Sequence, residues 1–174
     1  VSSKLDIKGQ NLVKGVQLEG LRVLGSPKIF AKKYYDEGAD EIIYHDIVAS
    51  LYRRNNLSTL IKDTSENIFL PMLAGGGIRN TDQVETILKS GADRVFLNTA
   101  ALDNVSIIDE IVKKYGSSTL VISIEVVKSE QNFICRKDFG REETNKELIS
   151  WAKEIESRGA GELMITSIDS DGTG

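Results

Sequence analysis

Six short apolar runs in this sequence end on residues able to move protons or hold anions. Asp6 ends the first, inside LDIKGQNLVKG, and Lys8 and Lys14 follow among Gly9 and Gly15. His45 and Asp46 end the second, and AGGGIR (74–79) closes the third. Asn98 and Thr99 end the fourth, Glu125 the fifth, and Ser167, Asp169, Asp171 and Gly172 the sixth. A single strand-tip Asp commonly just caps the loop after it. Carboxylates at the first, second, fifth and sixth tips together point to chemistry. Two carboxyl groups in unlike surroundings can divide one reaction, one giving a proton and the other taking it. Asp6 and Glu125 are the candidates for that pair, expected to face each other across a barrel mouth. Lys14 taken alone reads as a solvated lysine, as does Lys8, unless the strand tip is a site for an anionic substrate. Gly76 and Gly77 lie between a strand and a helix start, where unpaired N–H groups can cradle an anion. His45 is the only histidine, and strand alternation sends it and Asp46 to opposite faces. Cys135 is the only cysteine and is read as inert. No His/Cys cluster has metal spacing, and no P-loop, dinucleotide fingerprint or nucleophile elbow occurs, so neither metal nor cofactor is expected.

The elements that must position these groups alternate in kind. β-rich runs cover 2–7, 41–49, 68–74, 93–100, 120–127 and 162–169. Helical patterns lie between them. The first opens at Ser26-Pro27 and stops at Gly38, the second covers about 57–66, and the third runs from Asn80-Thr81 to near Gly91. The fourth covers about 105–115, and TNKE (144–147) reads as a capping box for LISWAKEIES. This order predicts a parallel α/β sheet or barrel. The plan GADEIIYHD (38–46) returns as GADRVFLNT (91–99) and GAGELMITS (159–167). Gly38 and Gly159 are about 120 positions apart, as are Asp6 and Glu125, which is the spacing of two half-barrels. The fold class expected is therefore a (β/α)8 TIM barrel with half-barrel repeats, of which about six βα units are present. Residues 1–174 make a single partial domain, with the first half-barrel at about 1–116 and the second starting at about 117. Val1 is not a start methionine and both ends read as cut, so strands seven and eight are expected to lie outside this sequence.

Bulk composition narrows the classes. The 174 residues are 40% hydrophobic and 28% charged, enough for one domain with a core. A net charge of −4 gives no support for a nucleic-acid partner held by bulk electrostatics. No apolar run is long enough for a membrane span, and no signal-peptide pattern opens the chain. One cysteine makes a reducing, cytoplasmic setting the expected one.

LDIKGQNLVKG, HDIVAS, AGGGIR, GADRVFLNTAA, WAKEIESRGAGE and LMITSIDSDGTG together resemble the cyclase subunits of imidazole glycerol phosphate synthase. The resemblance runs along essentially the whole chain. It implies a barrel that pairs as a heterodimer with a glutaminase subunit and receives ammonia through its interior. Ammonia would attack a phosphorylated small molecule, a phosphoribulosyl aminoimidazole carboxamide ribotide, giving imidazole glycerol phosphate for histidine biosynthesis. Asp6 matches the family's first catalytic aspartate, and Lys14 a substrate-binding lysine. Asp46 matches a motif aspartate at the second strand. Gly77, Asn98, Thr99, Asp171 and Gly172 match positions that hold one phosphate end and the glycerol portion. Glu41, Arg94 and Glu162 match charged residues around the ammonia entrance.

Departures from that family pattern are specific. Glu125 stands where the family has Asp, His45 and Leu73 replace an apolar residue and a Thr, and Lys4 replaces a Cys. KDFGR (137–141) replaces a Tyr–Ser stretch. These changes gather around the inner pocket, while the ammonia entrance and one phosphate end are kept. They resemble a paralogous branch that amidates surface-polysaccharide sugars, the alternative function. A barrel that binds its glutaminase without catalysis is the third reading, and the retained Asp6 argues against it.

Overall fold

Leu5 and Ile7 are buried in β1 (Ser2–Lys8) of the computed structural model, which describes residues 1–49 and 57–173. The described chain is an α/β fold built on parallel strands, and it divides into two compact units. One unit comprises Val1–Lys14 and Arg22–Val95, the other Gly15–Leu21 and Phe96–Gly174.

β1, in the first unit, is followed by β2 (Asn11–Val16) and β3 (Glu19–Gly25), two strands that the glycine-punctuated loop pattern concealed and that both cross the division between units. β2 runs antiparallel to β1, pairing Asp6 with Val13 and Lys8 with Asn11. Helix α1 (Pro27–Asp36) starts where Pro27 predicts, but Ser26 makes no side-chain cap. Strand β4 (Glu41–Asp46) then lies parallel to β1, from Ser2 opposite Glu41 to Ile7 opposite Asp46. All of β4 is buried, as a parallel strand covered on both faces must be. It ends at Asp46, shorter than the predicted 41–49. Helix α2 (Leu57–Ser65) buries Leu57 and Ile61, and its Thr64 hydroxyl lies 2.8 Å from the Tyr44 hydroxyl. Strand β5 (Met72–Gly75) continues the parallel pairing on β4, with His45 opposite Gly75. The Asn80 side chain caps α3 (Thr81–Lys89) by accepting from Gln83 N–H at 3.0 Å, as predicted.

The chain passes between units again inside β6 (Arg94–Leu97). In the second unit Asn98 and Thr99 leave strand geometry and open a short helix, α4 (Thr99–Asp103), where the sequence predicts strand. Helix α5 (Ser106–Tyr115) precedes β7 (Leu120–Ser129). A hairpin absent from the sequence reading follows: β8 (Asn132–Lys137) pairs antiparallel with β7, and β9 (Glu142–Glu147) with β8. TNKE therefore lies in β9, and Thr144 donates its hydroxyl to the Cys135 carbonyl at 2.7 Å instead of capping. Glu147 is the true N-cap of α6 (Leu148–Ser157), accepting from Ser150 N–H at 3.0 Å. β10 (Glu162–Ser167) lies parallel to β7, with Thr166 opposite Glu125.

The internal echo has a physical basis. Its third residue donates a backbone N–H to the carbonyl at or just before the start of the strand that neighbours the next one in the sheet: Asp40 to Val1 at 2.9 Å, Asp93 to Met72 at 2.9 Å, Gly161 to Leu120 at 3.1 Å. Each helix-ending glycine in the echo has positive φ, which lets the chain reverse without a Cβ penalty. Among the described residues no helix is long and apolar enough to cross a membrane.

The glycine loop after β5 is pressed onto β4. A Cβ on Gly76 would sit 2.1 Å from the Asp46 carbonyl oxygen, whereas one on Gly9 would meet nothing within 4 Å. Both glycines have positive φ, so Ala carries backbone strain at each. In urea unfolding, Gly9→Ala is expected to cost about 1 kcal/mol. Gly76→Ala is expected to cost more than about 2 kcal/mol, because strain and backbone overlap act together. Equal losses in the two variants would show that the overlap relaxes without cost.

Candidate functional site

In the first unit the site begins at the paired tips of β1 and β4. Register places Asp6 directly beside His45, and their side chains share a face. His45 Nδ1 lies 3.2 Å from Asp6 Oδ1, and the Lys4 ammonium lies 3.6 Å from the same oxygen. Burial pushes the Asp6 carboxyl up. The His45 hydrogen bond and the Lys4 and Lys14 charges, joined by that of His45 when it is protonated, outweigh it and hold the carboxyl below its ordinary value. Burial acts on His45 in the opposite sense, and with Lys4 it pulls the imidazole below its ordinary value. At neutral pH this is a carboxylate beside a neutral imidazole. Lys14 is exposed on β2, close enough to favour the Asp6 anion. Asp46, on the alternate face, accepts from Val48 N–H at 3.1 Å. Burial raises its carboxyl, against the Val48 and Ala49 amides.

Gly76 and Gly77 follow at the β5 tip. A Cβ on Gly77 would be 2.4 Å from that of Ala49, so close packing alone already demands glycine here. At the opposite end of the same strands, Glu41 accepts from the Ser2 hydroxyl at 2.8 Å and pairs with the Arg94 guanidinium. Glu41 opens β4 and Arg94 opens β6.

In the second unit Glu125 is buried within β7, with four further strand residues after it. Asn98 Nδ2 donates to Glu125 Oε2 at 3.1 Å and to the Arg136 carbonyl at 3.2 Å. Those two acceptors fix the amide orientation. Asn98 Oδ1 is left buried, with no partner among the described residues. An acceptor held in that state suits a ligand hydroxyl or N–H. The Thr99 hydroxyl accepts from Asp138 N–H at 2.9 Å, tying α4 to the β8–β9 turn. Asp171 accepts from Gln17 N–H at 2.9 Å through its carbonyl. Gly172 has φ +70°, and a Cβ there would be 2.7 Å from the Gly15 carbonyl oxygen. The Asp169 carboxylate is occupied by Lys128 N–H at 2.8 Å. Glu162 opens β10 and is exposed. Cys135 is buried, and burial with the Glu147 carboxylate pushes its thiol up to about 11.

Within the first unit the structure thus gathers Asp6, Lys14 and Lys4 with His45, and pairs Glu41 with Arg94. Within the second it joins Glu125 to Asn98. His45 as the Asp6 partner escapes a reading of single strands, because the two residues are 39 positions apart. The signal available was rank: Asp6 is the fifth residue of β1 and His45 the fifth of β4.

Comparison with known proteins follows the same lines. The family pattern described as "Histidine biosynthesis protein" matches residues 1–174. An imidazole glycerol phosphate synthase subunit HisF of Legionella pneumophila is 51% identical over 172 residues, covering 98% of this chain and 81% of that protein. The subunit of the same name from Campylobacter concisus is 44% identical over 168 residues, covering 97% of this chain and 67% of that protein. The one from Saccharolobus solfataricus is 43% identical over 169 residues, again 97% and 67%. With the pattern matched from end to end and identities of this size along almost the whole chain, the protein belongs to the histidine biosynthesis protein family.

Proposed function

We propose that this chain is the cyclase subunit of imidazole glycerol phosphate synthase, acting in histidine biosynthesis. The observation that carries the reading is identity of 43–51% to subunits of that name along 97–98% of the chain. The substrate is a phosphoribulosyl aminoimidazole carboxamide ribotide. Ammonia condenses with it with loss of one water, and the adduct splits into imidazole glycerol phosphate and an aminoimidazole carboxamide ribotide. Ring closure and cleavage each need a proton taken and a proton given. Asp6, kept anionic, takes the first, and Glu125 gives the other. Lys14 holds a substrate phosphate. Asp46, Gly77, Asn98, Thr99, Asp171 and Gly172 shape the remainder of the substrate site, with the Asn98 Oδ1 accepting from the substrate.

The same reading gives the fold its finer form, a (β/α)8 barrel whose first half-barrel covers about 1–116 and whose second begins at about 117. Its last two βα units are not among these residues. Parallel β1–β4–β5 and β7–β10 with intervening helices support it. So does the exposed Ile165 of β10, an apolar side chain 54% open to solvent. The partner is a glutaminase subunit, and the cell compartment is the cytoplasm. Ammonia enters where Glu41, Arg94 and Glu162 open their strands; the Glu41–Arg94 pair supports a charged gate there.

The first test uses the full-length protein with ammonium salt and the ribotide substrate, following loss of substrate absorbance. Asp6→Asn is expected to lower kcat at least 10²-fold. Activity within tenfold of wild type would remove Asp6 from the chemistry, and an inert folded wild type would turn the search to sugar acceptors. Glu125→Gln is expected to lose activity to a similar degree. Glu125→Asp should lose about 10²-fold through displacement of the carboxyl, and unchanged turnover would mean Glu125 is not the acid. In the complex with the glutaminase, Arg94→Ala should depress glutamine-driven turnover several-fold more than ammonium-driven turnover. Equal losses on both nitrogen sources would contradict the gate.

A further inference from the structure

We propose that His45 is a positioning residue for Asp6: its Nδ1–H and the Lys4 ammonium together occupy Oδ1, so that Oδ2 is the oxygen presented to the substrate as the proton acceptor. The proposal rests on the assignment of Asp6 as the base in the reaction above. Four observations lead to it.

The first is that both neighbours choose one oxygen. Nδ1 is 3.2 Å and Lys4 Nζ 3.6 Å from Oδ1, and among the described residues nothing bonds Oδ2. A carboxylate free on both oxygens rotates about its Cβ–Cγ bond and presents either one. A hydrogen bond and an ion pair converging on one oxygen oppose that rotation and bias which lone pairs meet the substrate. The second is the tautomer. An ionised carboxylate only accepts, so an imidazole nitrogen at hydrogen-bond distance from it must carry the proton. His45 therefore bonds as the neutral Nδ1–H form. The third is burial. The His45 side chain is 9% exposed, and a cation there would be poorly solvated. A neutral donor orients Asp6 without quenching the basicity that a second full positive charge beside it would take away.

The fourth is register. Parallel pairing sets Asp6 and His45 side by side, and the alternation of β1 puts Lys4 on the same face. The charged groups facing Asp6 within its unit are then Lys4 from β1, Lys14 from β2 and His45 from β4, while β5 (MLAG) contributes none. Asp46, next in sequence to His45, is turned to the other face and bonded to Val48 N–H. The second unit repeats the device with different residues: Asn98 Nδ2, another neutral donor, takes Oε2 of Glu125 at 3.1 Å.

The test follows the ¹⁵N-imidazole spectrum of the full-length protein, with the His45 signal assigned by its absence from His45→Leu. The expected signal at pH 7 is the neutral Nδ1–H tautomer, and it should change in Asp6→Asn. A neutral Nε2–H tautomer, or a spectrum indifferent to Asp6→Asn, overturns the proposal. The second arm is the acid limb of kcat/KM. His45→Leu removes the donor and leaves Asp6 buried, so its carboxyl rises and the limb should move up by about one pH unit. His45→Asn keeps an N–H at the Nδ1 position and should return the limb to within a few tenths of a unit. A limb unmoved in a folded His45→Leu protein overturns the proposal. A ¹³C titration of the Asp6 carboxyl in wild type and His45→Leu decides the same question without turnover. An inert wild type would count against the proposed reaction alone, because that titration would still show whether His45 holds Asp6.

Discussion

A carboxylate taken out of water must be met by donors or charge, and that requirement fixes the strand register on which both units depend. Four acids in the described chain are almost fully or largely buried, and each is answered by a particular partner. Asp6 meets His45, and Asp46 meets the Val48 amide. Glu41 meets Ser2 and Arg94, and Glu125 meets Asn98. Two of these partners are register neighbours of the acid on the adjacent strand: His45 beside Asp6, and Ser2 beside Glu41. A slip of β4 by one residue would separate both pairs at once and send each acid to the wrong face. The apolar side chains between them, Ile42 and Ile43 against Ser3 and Lys4, would not resist such a slip nearly as specifically. The acids therefore specify the sheet as much as the sheet presents the acids.

Parallel pairing then divides the labour along each strand. β4 begins with Glu41 and ends with His45 and Asp46, and β1 runs beside it in the same direction. The strand starts carry a partly buried ion pair, Glu41 with Arg94. The tips carry Asp6, His45 and Asp46. The apolar stretch between them, Ile42 to Tyr44, is closed to solvent and keeps the two sets of charges apart. An antiparallel pair would have mixed starts with tips and lost this polarity.

How much of this was legible in the sequence depends on what each element buries. β1, β4, β5, β7 and β10 were legible because their apolar runs are bounded by glycine and by helical periodicity. β9 was not, because EETNKE carries no apolar side chain and its local pattern imitates a capping box; only its pairing with β8 makes it a strand. β2 was hidden by Gly15, which reads as a turn but supports a strand whose backbone approaches Glu19 closely. At the site, Asp6 and Glu125 were legible as acids at corresponding positions of a repeat. Their partners were not. His45 meets Asp6 through a register that no local pattern announces. Asn98 looked like a strand residue suited to a phosphate, yet its amide is turned to Glu125. The glycines at 76 and 77 read as an anion cradle, and packing against Asp46 and Ala49 accounts for them without any ligand.

Glu125 shows how the chain absorbs a longer acid. One more methylene adds a torsion, and with it more freedom in where the carboxyl sits. Here the backbone of Glu125 is paired on both sides, to Thr166 of β10 and to Arg136 of β8. The end of the side chain is then tied by Asn98, whose amide is itself held by the Arg136 carbonyl. Arg136 thus enters twice, through its pairing with Glu125 and through the carbonyl that orients Asn98. The β8 strand is therefore more than a cover for β7. By fixing both ends of the Glu125 side chain, it converts a flexible residue into a positioned one, and the hairpin that local sequence pattern failed to announce becomes a condition for where that carboxyl sits.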